Sequence, residues 1–162
     1  MEFLIKRLDK LDVSDEEIFD LLSEVYVQAG FTNLETAKVV FKPSEVKKRG
    51  VLFGLKETSL NEFAGMVIVV PPGASAVVRA KENECEMHLL GVLPKFRGYG
   101  LGRKLVEKAL AFASENGWTT MILWTQKSMK EAQSLYESSG FTRCGEMNKN
   151  GIEFLVYERN CS

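Results

Sequence analysis

The residues best placed to do chemistry form a glycine-rich run, Arg97-Gly98-Tyr99-Gly100-Leu101-Gly102-Arg103. The run follows an apolar stretch typical of a strand and leads directly into a helical pattern of apolar residues. The first turn of a helix carries unpaired backbone N–H groups and the positive end of the helix dipole. The glycines let that backbone approach a phosphate without an intervening side chain. We therefore expect residues 97–103 to hold a phosphate-bearing ligand.

Two common phosphate-binding motifs do not fit these glycines. The phosphate loop of nucleoside triphosphatases requires Gly-Lys-Ser/Thr, but Gly102 is followed by Arg103 and Lys104, so no hydroxyl is available for a magnesium ion. The dinucleotide fingerprint, counted from Gly98, requires its third glycine where Arg103 stands. The pattern that remains is Arg-x-x-Gly-x-Gly, formed by Arg97, Gly100 and Gly102.

This pattern resembles the coenzyme A (CoA) pyrophosphate loop of the GNAT superfamily of N-acetyltransferases. Val92 and Pro94 stand where that superfamily usually has Val-x-Pro before the arginine. Downstream, residues 132–141 read AQSLYESSGF and resemble its Ala-x-x-Leu-Tyr-x-x-x-Gly-Phe signature. The resemblance spans about residues 50–158 and is to the small, bacterial-type members that consist of a single domain.

The resemblance implies acetyl-CoA as cosubstrate and no metal. It implies that the pantetheine arm bonds to the backbone of Leu90 and Val92, with the Val92 amide polarising the thioester carbonyl. The pyrophosphate would take the backbone amides from Gly98 to Arg103, including those of Tyr99, Gly100, Leu101 and Gly102. Arg97 is expected either to bind phosphate or to support the loop.

One position departs from the superfamily pattern. Many members carry an asparagine three residues before the alanine of the second motif, where it contacts the pantetheine arm. This chain has Met129 at that position, so we expect Ser128 or the backbone to replace the lost contact.

The resemblance also implies a proton donor. Acetyl transfer to an amine needs a held thioester, a neutral amine, donors for the developing oxyanion and a proton for the leaving thiolate. In the resembling proteins the signature tyrosine, here Tyr136, sits beside the sulfur and protonates the thiolate. The alternative is a tyrosine packed in the core, because Tyr136 shares the apolar helix face with Ala132 and Leu135.

Two residues of one strand are candidates for the base. Strand alternation places Glu86 and His88 on one face and Cys85 on the other, which argues against an acetyl-cysteine intermediate. Glu86 stands six residues before Val92, where many GNAT proteins carry a glutamate facing the acceptor. It would draw a proton from an ammonium through water, or else bind a cationic acceptor without proton transfer. His88, the only histidine, is closer to the thioester and is either the base or structural.

Composition limits the class of protein. The 162 residues suffice for one domain, residues 1–162, with 45% hydrophobic and 27% charged residues. A net charge of −1 gives no electrostatic footprint for nucleic acid, and the cluster Lys47-Lys48-Arg49 is expected to be a solvated helix end. We find no apolar run that spans a bilayer and no signal pattern. Three dispersed cysteines favour a reducing compartment without a structural metal, so we expect a cytoplasmic monomer or homodimer without nucleic-acid or membrane partners.

Periodicity supplies the elements that must position these residues. It predicts helices from the Ser14 cap towards Gly30, at 100–116 and at 128–139, with a less regular, partly helical segment at 31–49 interrupted at Pro43. Strands are predicted at 3–8, 51–56, 62–70, 85–92, 120–125, 142–147 and 152–158. The pattern is that of a mixed α/β protein with a central parallel strand–helix–strand crossover and helices on both faces. The resemblance implies the GNAT fold, a mostly antiparallel sheet of about six to seven strands.

The resulting hypothesis is an acetyl-CoA-dependent N-acetyltransferase that moves the acetyl group directly to a primary amine. The acceptor would be a small molecule or an amino terminus. Two alternatives stay open, namely a degenerate sensor that binds acyl-CoA without turnover and an enzyme that acetylates lysines of a partner protein. The lysine-acetylating enzyme would need an open groove for a peptide, and the irregular pattern of residues 31–49 does not decide whether there is one.

Overall fold

Seven strands form one sheet in the order β1-β2-β3-β4-β5-β7-β6 in a computed structural model that describes residues 1–162. The strands are β1 (Phe3–Arg7), β2 (Val51–Glu57), β3 (Glu62–Val70), β4 (Glu84–Val92), β5 (Thr120–Gln126), β6 (Thr142–Lys149) and β7 (Ile152–Asn160). The helices are α1 (Asp15–Leu22), α2 (Leu34–Val40), α3 (Pro43–Lys48), α4 (Leu101–Glu115) and α5 (Lys130–Ser138).

The sheet is antiparallel except at its centre. There β4 and β5 run parallel, and only their first residues pair, from Glu84 opposite Thr120 to Glu86 opposite Ile122. β5 pairs with β7 along its whole length, from Thr120 opposite Asn160 to Gln126 opposite Phe154. The C-terminal halves of β4 and β5 therefore diverge, and a gap opens between them.

A bulge reorients β4 where the gap opens. The β3–β4 register shifts between Met66 and Ile68, and Leu89 has a φ of +50°. Beyond the bulge the Leu93 amide donates to the Ala64 carbonyl at 2.8 Å. Because hydrogen-bonded pairs alternate along an antiparallel ladder, the backbone groups of Val92 then point away from β3 and into the gap.

Helices cover both faces of the sheet. A Cβ placed on Gly91 would lie 3.3 Å from the side chain of Val25, which follows α1 in a π-helical turn (Ser23–Val27). A Cβ placed on Gly65, which pairs with Val92, would lie 3.3 Å from Leu105 of α4. Since neighbouring strand residues point to opposite faces, α1 and α4 pack on opposite sides.

Local signals explain most element boundaries. α1 begins with the expected capping box, in which Ser14 and Glu17 exchange hydrogen bonds at 3.1 Å. The β6–β7 hairpin turns at Asn150 and Gly151 with φ values of +53° and +79°, which confirms the predicted two-residue turn.

The segment at 31–49 is more regular than predicted. α2 is capped by Asn33, whose side chain accepts from the Thr36 amide at 2.8 Å. Pro43 does not interrupt a helix but begins α3, because the first helical residue needs no N–H donor and proline fixes a suitable φ. No helix in the structure is both long and apolar enough to cross a membrane.

Candidate active site

The gap between β4 and β5 opens into a cleft of about 1110 Å³. The π-helical turn after α1, the N-terminal ends of α4 and α5, and the two diverging strands border it. The cleft therefore joins the glycine-rich run to His88 and Tyr136, residues that are far apart in the chain.

The glycine-rich run presents free backbone donors to one end of the cleft. The first helical hydrogen bond of α4 runs from the Lys104 amide to the Gly100 carbonyl at 3.2 Å, and the amides of residues 98–103 have no backbone acceptor. Gly98 and Gly100 have φ values of +90° and +71°, a region that L side chains rarely adopt. Arg97 is exposed, lines the cleft and has no ion pair in the chain. These features fit a diphosphate anion.

The side chains of the other residues in the glycine-rich run have different environments. Arg103 bonds to the C-terminal end of α5, with Ser138 Oγ at 2.7 Å from its guanidinium. Tyr99 is 50% exposed and packs on Phe3 with ring centroids 5.7 Å apart, so its side chain lies outside the cleft. Leu101 is buried. Tyr99 and Leu101 can thus contribute their backbone amides to a ligand, as expected from the sequence.

The β4 backbone provides a second set of polar groups. Val92 turns its N–H and C=O into the gap, as its register requires, and both Leu90 and Val92 line the cleft. Tyr26 donates its hydroxyl to the Leu90 carbonyl at 2.8 Å. Sequence periodicity does not reveal this contact, because only the π-helical turn after α1 directs Tyr26 at β4.

Tyr136 lies in the wall of the cleft. It is buried, and its ring packs against Phe141 and Tyr157 with centroids 6.0 and 6.2 Å away. Burial raises the pKa of Tyr136 well above its usual range, and the nearby Tyr26 raises it further. The hydroxyl is therefore protonated at neutral pH and can act as a donor.

Ser128 and Met129 line the cleft before α5. The Thr125 hydroxyl donates to the Met129 sulfur at 3.4 Å, and the Ser128 carbonyl accepts from the Lys130 amide at 3.0 Å. The Ser128 hydroxyl makes no hydrogen bond within the chain, so it is free for a ligand.

Glu86 does not line the cleft, although its position six residues before Val92 predicted a glutamate that faces the acceptor. It is completely buried. Its carboxylate accepts hydrogen bonds from the amides of Val78, Arg79 and Ala80 at 3.0, 2.6 and 2.7 Å and from His88 Nε2 at 2.8 Å. Strand alternation correctly placed Glu86 on the same face of β4 as His88. The β3–β4 loop folds over that face, and its amides bind the carboxylate.

The environment of Glu86 acts on its pKa in two directions. Burial raises the pKa, while the hydrogen bonds from His88 and from the three loop amides lower it, and the hydrogen bonds win. Glu86 is therefore a buried carboxylate that is ionised at neutral pH. It orders the loop and the imidazole rather than exchanging protons with solvent.

His88 reaches the cleft that Glu86 does not. Since the ionised Glu86 can only accept, His88 Nε2 must carry the hydrogen of their 2.8 Å bond. In the neutral imidazole Nδ1 then carries the lone pair, and Arg49 Nη1 approaches it at 3.4 Å. The ring edge packs against Trp124 with centroids 5.1 Å apart. The imidazole is thus held in one tautomer with its acceptor nitrogen towards the cleft.

Arg49 is the second functional candidate that the sequence analysis missed. Within Lys47-Lys48-Arg49 it was expected to be solvated, yet it is half-buried and lines the cleft, unlike Lys47 and Lys48. Its position is set by the short α3, which ends immediately before it.

Cys85 is buried on the opposite face of β4 and does not line the cleft, as strand alternation predicts. Its thiol lies 3.6 Å from the Thr120 carbonyl, and the neighbouring Cys161 together with burial raises its pKa. In the whole chain, no group of three His, Cys, Asp or Glu side chains could hold a metal ion.

Comparison with known proteins defines the family. The model of the acetyltransferase (GNAT) family matches residues 16–141. An N-acetyltransferase of Archaeoglobus fulgidus is 43% identical over 147 residues, which cover 86% of this chain and 92% of that relative. The chain therefore belongs to the GNAT family and is an N-acetyltransferase. Members of this family use acetyl-CoA and act on amines.

Solved structures agree with the predicted fold. The ribosomal-protein-S18-alanine N-acetyltransferase of Escherichia coli has a TM-score of 0.73 at 18% identity, covering 99% of this chain and 95% of that one. A Bacillus subtilis acetyltransferase in complex with CoA has a TM-score of 0.70 at 18% identity, covering 98% and 99%. The predicted mixed sheet with one parallel pair and the GNAT fold are confirmed.

The burial of the Glu86 carboxylate leads to a prediction about the stability of the fold. Glu86→Gln would leave loop amides without an acceptor, so we expect the free energy of unfolding at pH 7 to fall by about 2 kcal/mol or more. The pKa of Glu86 is lower in the folded chain than in the unfolded one. Its stabilisation is thus present above the unfolded carboxyl pKa of about 4.3 and is lost as pH falls through the folded value.

Urea unfolding at pH 7 and below pH ~4 checks this prediction. The difference in free energy of unfolding between the wild type and the variant must become smaller in acid. Glu84→Gln is the matched control. Its carboxylate is partly exposed and accepts one loop amide, that of Lys81, at 2.9 Å. An equal loss in both variants, or a pH-independent loss in Glu86→Gln, contradicts the assignment.

Proposed function

We propose that the chain transfers the acetyl group of acetyl-CoA to the primary amine of a small molecule or an amino terminus in the β4–β5 cleft. One observation carries the proposal, namely that a single cleft connects the unpaired amides of residues 98–103 to Tyr136 and His88. A phosphate anchor, a donor and a base are the groups that the reaction requires. The CoA complex of the Bacillus subtilis protein, which shares the fold, is consistent with this use of the cleft.

The residues that would hold the cosubstrate are those that bring polar groups to the cleft. The amides of residues 98–103 and Arg97 would take the pyrophosphate, and Leu90, Val92 and Ser128 would take the pantetheine arm. Acetyl-CoA supplies an activated acetyl thioester when it is bound. The Val92 amide, which points into the gap, would donate to the thioester carbonyl oxygen and stabilise negative charge there.

The proton transfers then have defined donors and acceptors. The amine nitrogen attacks the thioester carbon, the C–N bond forms and the C–S bond breaks. The proton released by the amine passes to Nδ1 of His88, directly or through one water, and Tyr136 donates to the leaving sulfur. Exchange with solvent returns the imidazolium and the tyrosine to their initial states.

Glu86 has a positioning role in this proposal. Its hydrogen bond to Nε2 fixes the tautomer of His88 and stabilises the imidazolium, as a buried carboxylate does in a catalytic triad. The base is therefore assigned to His88, which lines the cleft, whereas Glu86 does not line it and its carboxylate oxygens are taken by the loop amides and His88 Nε2.

The phosphate anchor yields a binding prediction. Acetyl-CoA at a hundredfold excess over its Kd should stabilise the fold by about 2.7 kcal/mol, seen as a higher Tm. Gly100→Asp should abolish this shift, because it places a carboxylate beside the pyrophosphate. Gly100→Asn is the matched control, since Asn and Asp both tolerate the positive φ of this position and differ only in charge. Equal shifts in both variants would place the phosphates elsewhere.

Tyr136→Phe should retain acetyl-CoA binding and lower kcat by roughly 10 to 100-fold, near the lower end for general acids. The effect is modest because a thiolate is a good leaving group and because the raised pKa of Tyr136 makes its hydroxyl a weak proton donor. Tyr157→Phe is the control. It removes another buried hydroxyl of the same aromatic cluster, bonded to Glu137 at 2.7 Å and outside the cleft. If kcat is unchanged in Tyr136→Phe while viscosity tests show that the chemical step limits the rate, Tyr136 is not the general acid.

His88→Gln should lower kcat/KM by about 10²-fold near neutral pH. A free α-amine with a pKa of about 8 arrives mostly protonated there and needs a base, so the loss should shrink as pH rises. CoA release across a pH series measures this, and an unchanged Tm shift with acetyl-CoA shows that the cosubstrate still binds. A loss that is flat across pH would mean that His88 only contacts the acceptor.

A further inference from the structure

Arg49 brings an uncompensated positive charge to the acceptor side of the cleft. Its guanidinium has two polar contacts, both long, with His88 Nδ1 at 3.4 Å and the Val40 carbonyl at 3.3 Å. It forms no ion pair. Burial lowers its pKa, although Tyr26 opposes this effect, so the guanidinium has lost part of its hydration. A partly desolvated arginine with unused donors favours an anion as its ligand.

No side chain of the cleft supplies that anion. Glu86 is the carboxylate behind His88, and its oxygens are already taken by three loop amides and the imidazole. Among the residues that line the cleft, Glu131 in the first turn of α5 is the only acidic one. The basic residues that line it are Arg49, Arg97, Arg103, Lys130 and Lys149.

We infer that the acceptor is a small amine that carries a carboxylate, of the amino acid class, and that Arg49 binds this carboxylate. The inference rests on the proposed acetyl transfer and adds the substrate class. A guanidinium pairs with a carboxylate through two parallel hydrogen bonds, which fixes orientation as well as position. An acceptor with a second cation in place of the carboxylate would meet only positive charge there.

The position of Arg49 suits an amine next to the carboxylate. The guanidinium and the acceptor nitrogen of His88 are 3.4 Å apart, so a ligand bound to one lies beside the other. In an α-amino acid a single carbon separates the amine from the carboxylate carbon. The carboxylate would draw the guanidinium away from Nδ1, which frees that lone pair for the amine proton.

Aromatic side chains form part of the cleft wall on this side. Tyr26 and Phe41 pack in a tilted arrangement with ring centroids 5.4 Å apart and, with Phe31 and Trp124, line the cleft near the π-helical turn and β5. These walls would offer apolar surface to the rest of the acceptor. Selection among amines would thus depend on the carboxylate.

The test compares matched acceptors on the wild-type chain. The panel consists of α-amino acids with small apolar side chains, the corresponding α-carboxamides, the corresponding amines without the carboxylate, diamines, and a peptide with an acidic N-terminal residue. We expect kcat/KM for the free acids to exceed that for the carboxamides by about 10 to 100-fold, the range of a charged hydrogen bond. Arg49→Gln should remove this preference, and Arg49→Lys should retain part of it.

Lys48→Gln is the charge-matched control, because it removes a neighbouring cation whose side chain is 74% exposed and outside the cleft. It should leave the preference intact. Thermal shifts by the same acids and amides on the CoA-loaded chain give a second readout that needs no turnover. If CoA gives no shift and no amine is acetylated, the proposed function fails, while the acid–amide difference in binding still reports on Arg49.

The inference is overturned by equal use and equal binding of acids and carboxamides, by a preference for diamines, or by a preference that survives Arg49→Gln. It is also overturned if the acidic peptide is the only good acceptor, since the ligand would then be a protein terminus. A preference for free acids that is lost in Arg49→Gln and kept in Lys48→Gln supports it.

Discussion

The site depends on where the parallel pairing of β4 and β5 stops. Glu86, opposite Ile122, is the last paired residue, and beyond it β5 continues alongside β7, with which it pairs along its full length. The bulge at Leu89 then turns the β4 backbone, so that Val92 offers its polar groups to the gap rather than to β3. An interrupted ladder leaves backbone donors and acceptors that a ligand can satisfy, and the cleft is lined by them.

Glu86 stabilises this arrangement at the point of divergence. A buried carboxylate is costly unless its lone pairs are filled, and here three consecutive amides of the β3–β4 loop and one imidazole fill them. The same bonds fix the loop across β4 and the orientation of His88. The stability of the fold and the orientation of His88, the proposed base, therefore depend on one set of hydrogen bonds, which is why Glu86 can affect both without lining the cleft.

Local sequence patterns predicted what depends on local structure. Each of these patterns spans only a few residues, and the structure has each element where its pattern placed it. They are the glycine-rich spacing Arg97–Gly102, the Ser14–Glu17 capping box and the Asn150-Gly151 turn. The environment of Glu86 could not be predicted, because parity selects a face of the strand but does not say which loop covers it. Arg49 was missed for a related reason, since adjacent basic residues look alike in sequence until α3 turns one of them inward.

The charges of the cleft act on the two substrates in different ways. Basic side chains at the glycine-rich end attract the phosphates of the cosubstrate, but the same sign near His88 opposes the approach of an ammonium. If the acceptor is the proposed amine with its own carboxylate, this conflict is removed, because its anion would cancel the charge of Arg49 while its amine meets the imidazole. The positive cleft would then favour both substrates, and the acceptor's negative group would be the feature by which amines are distinguished.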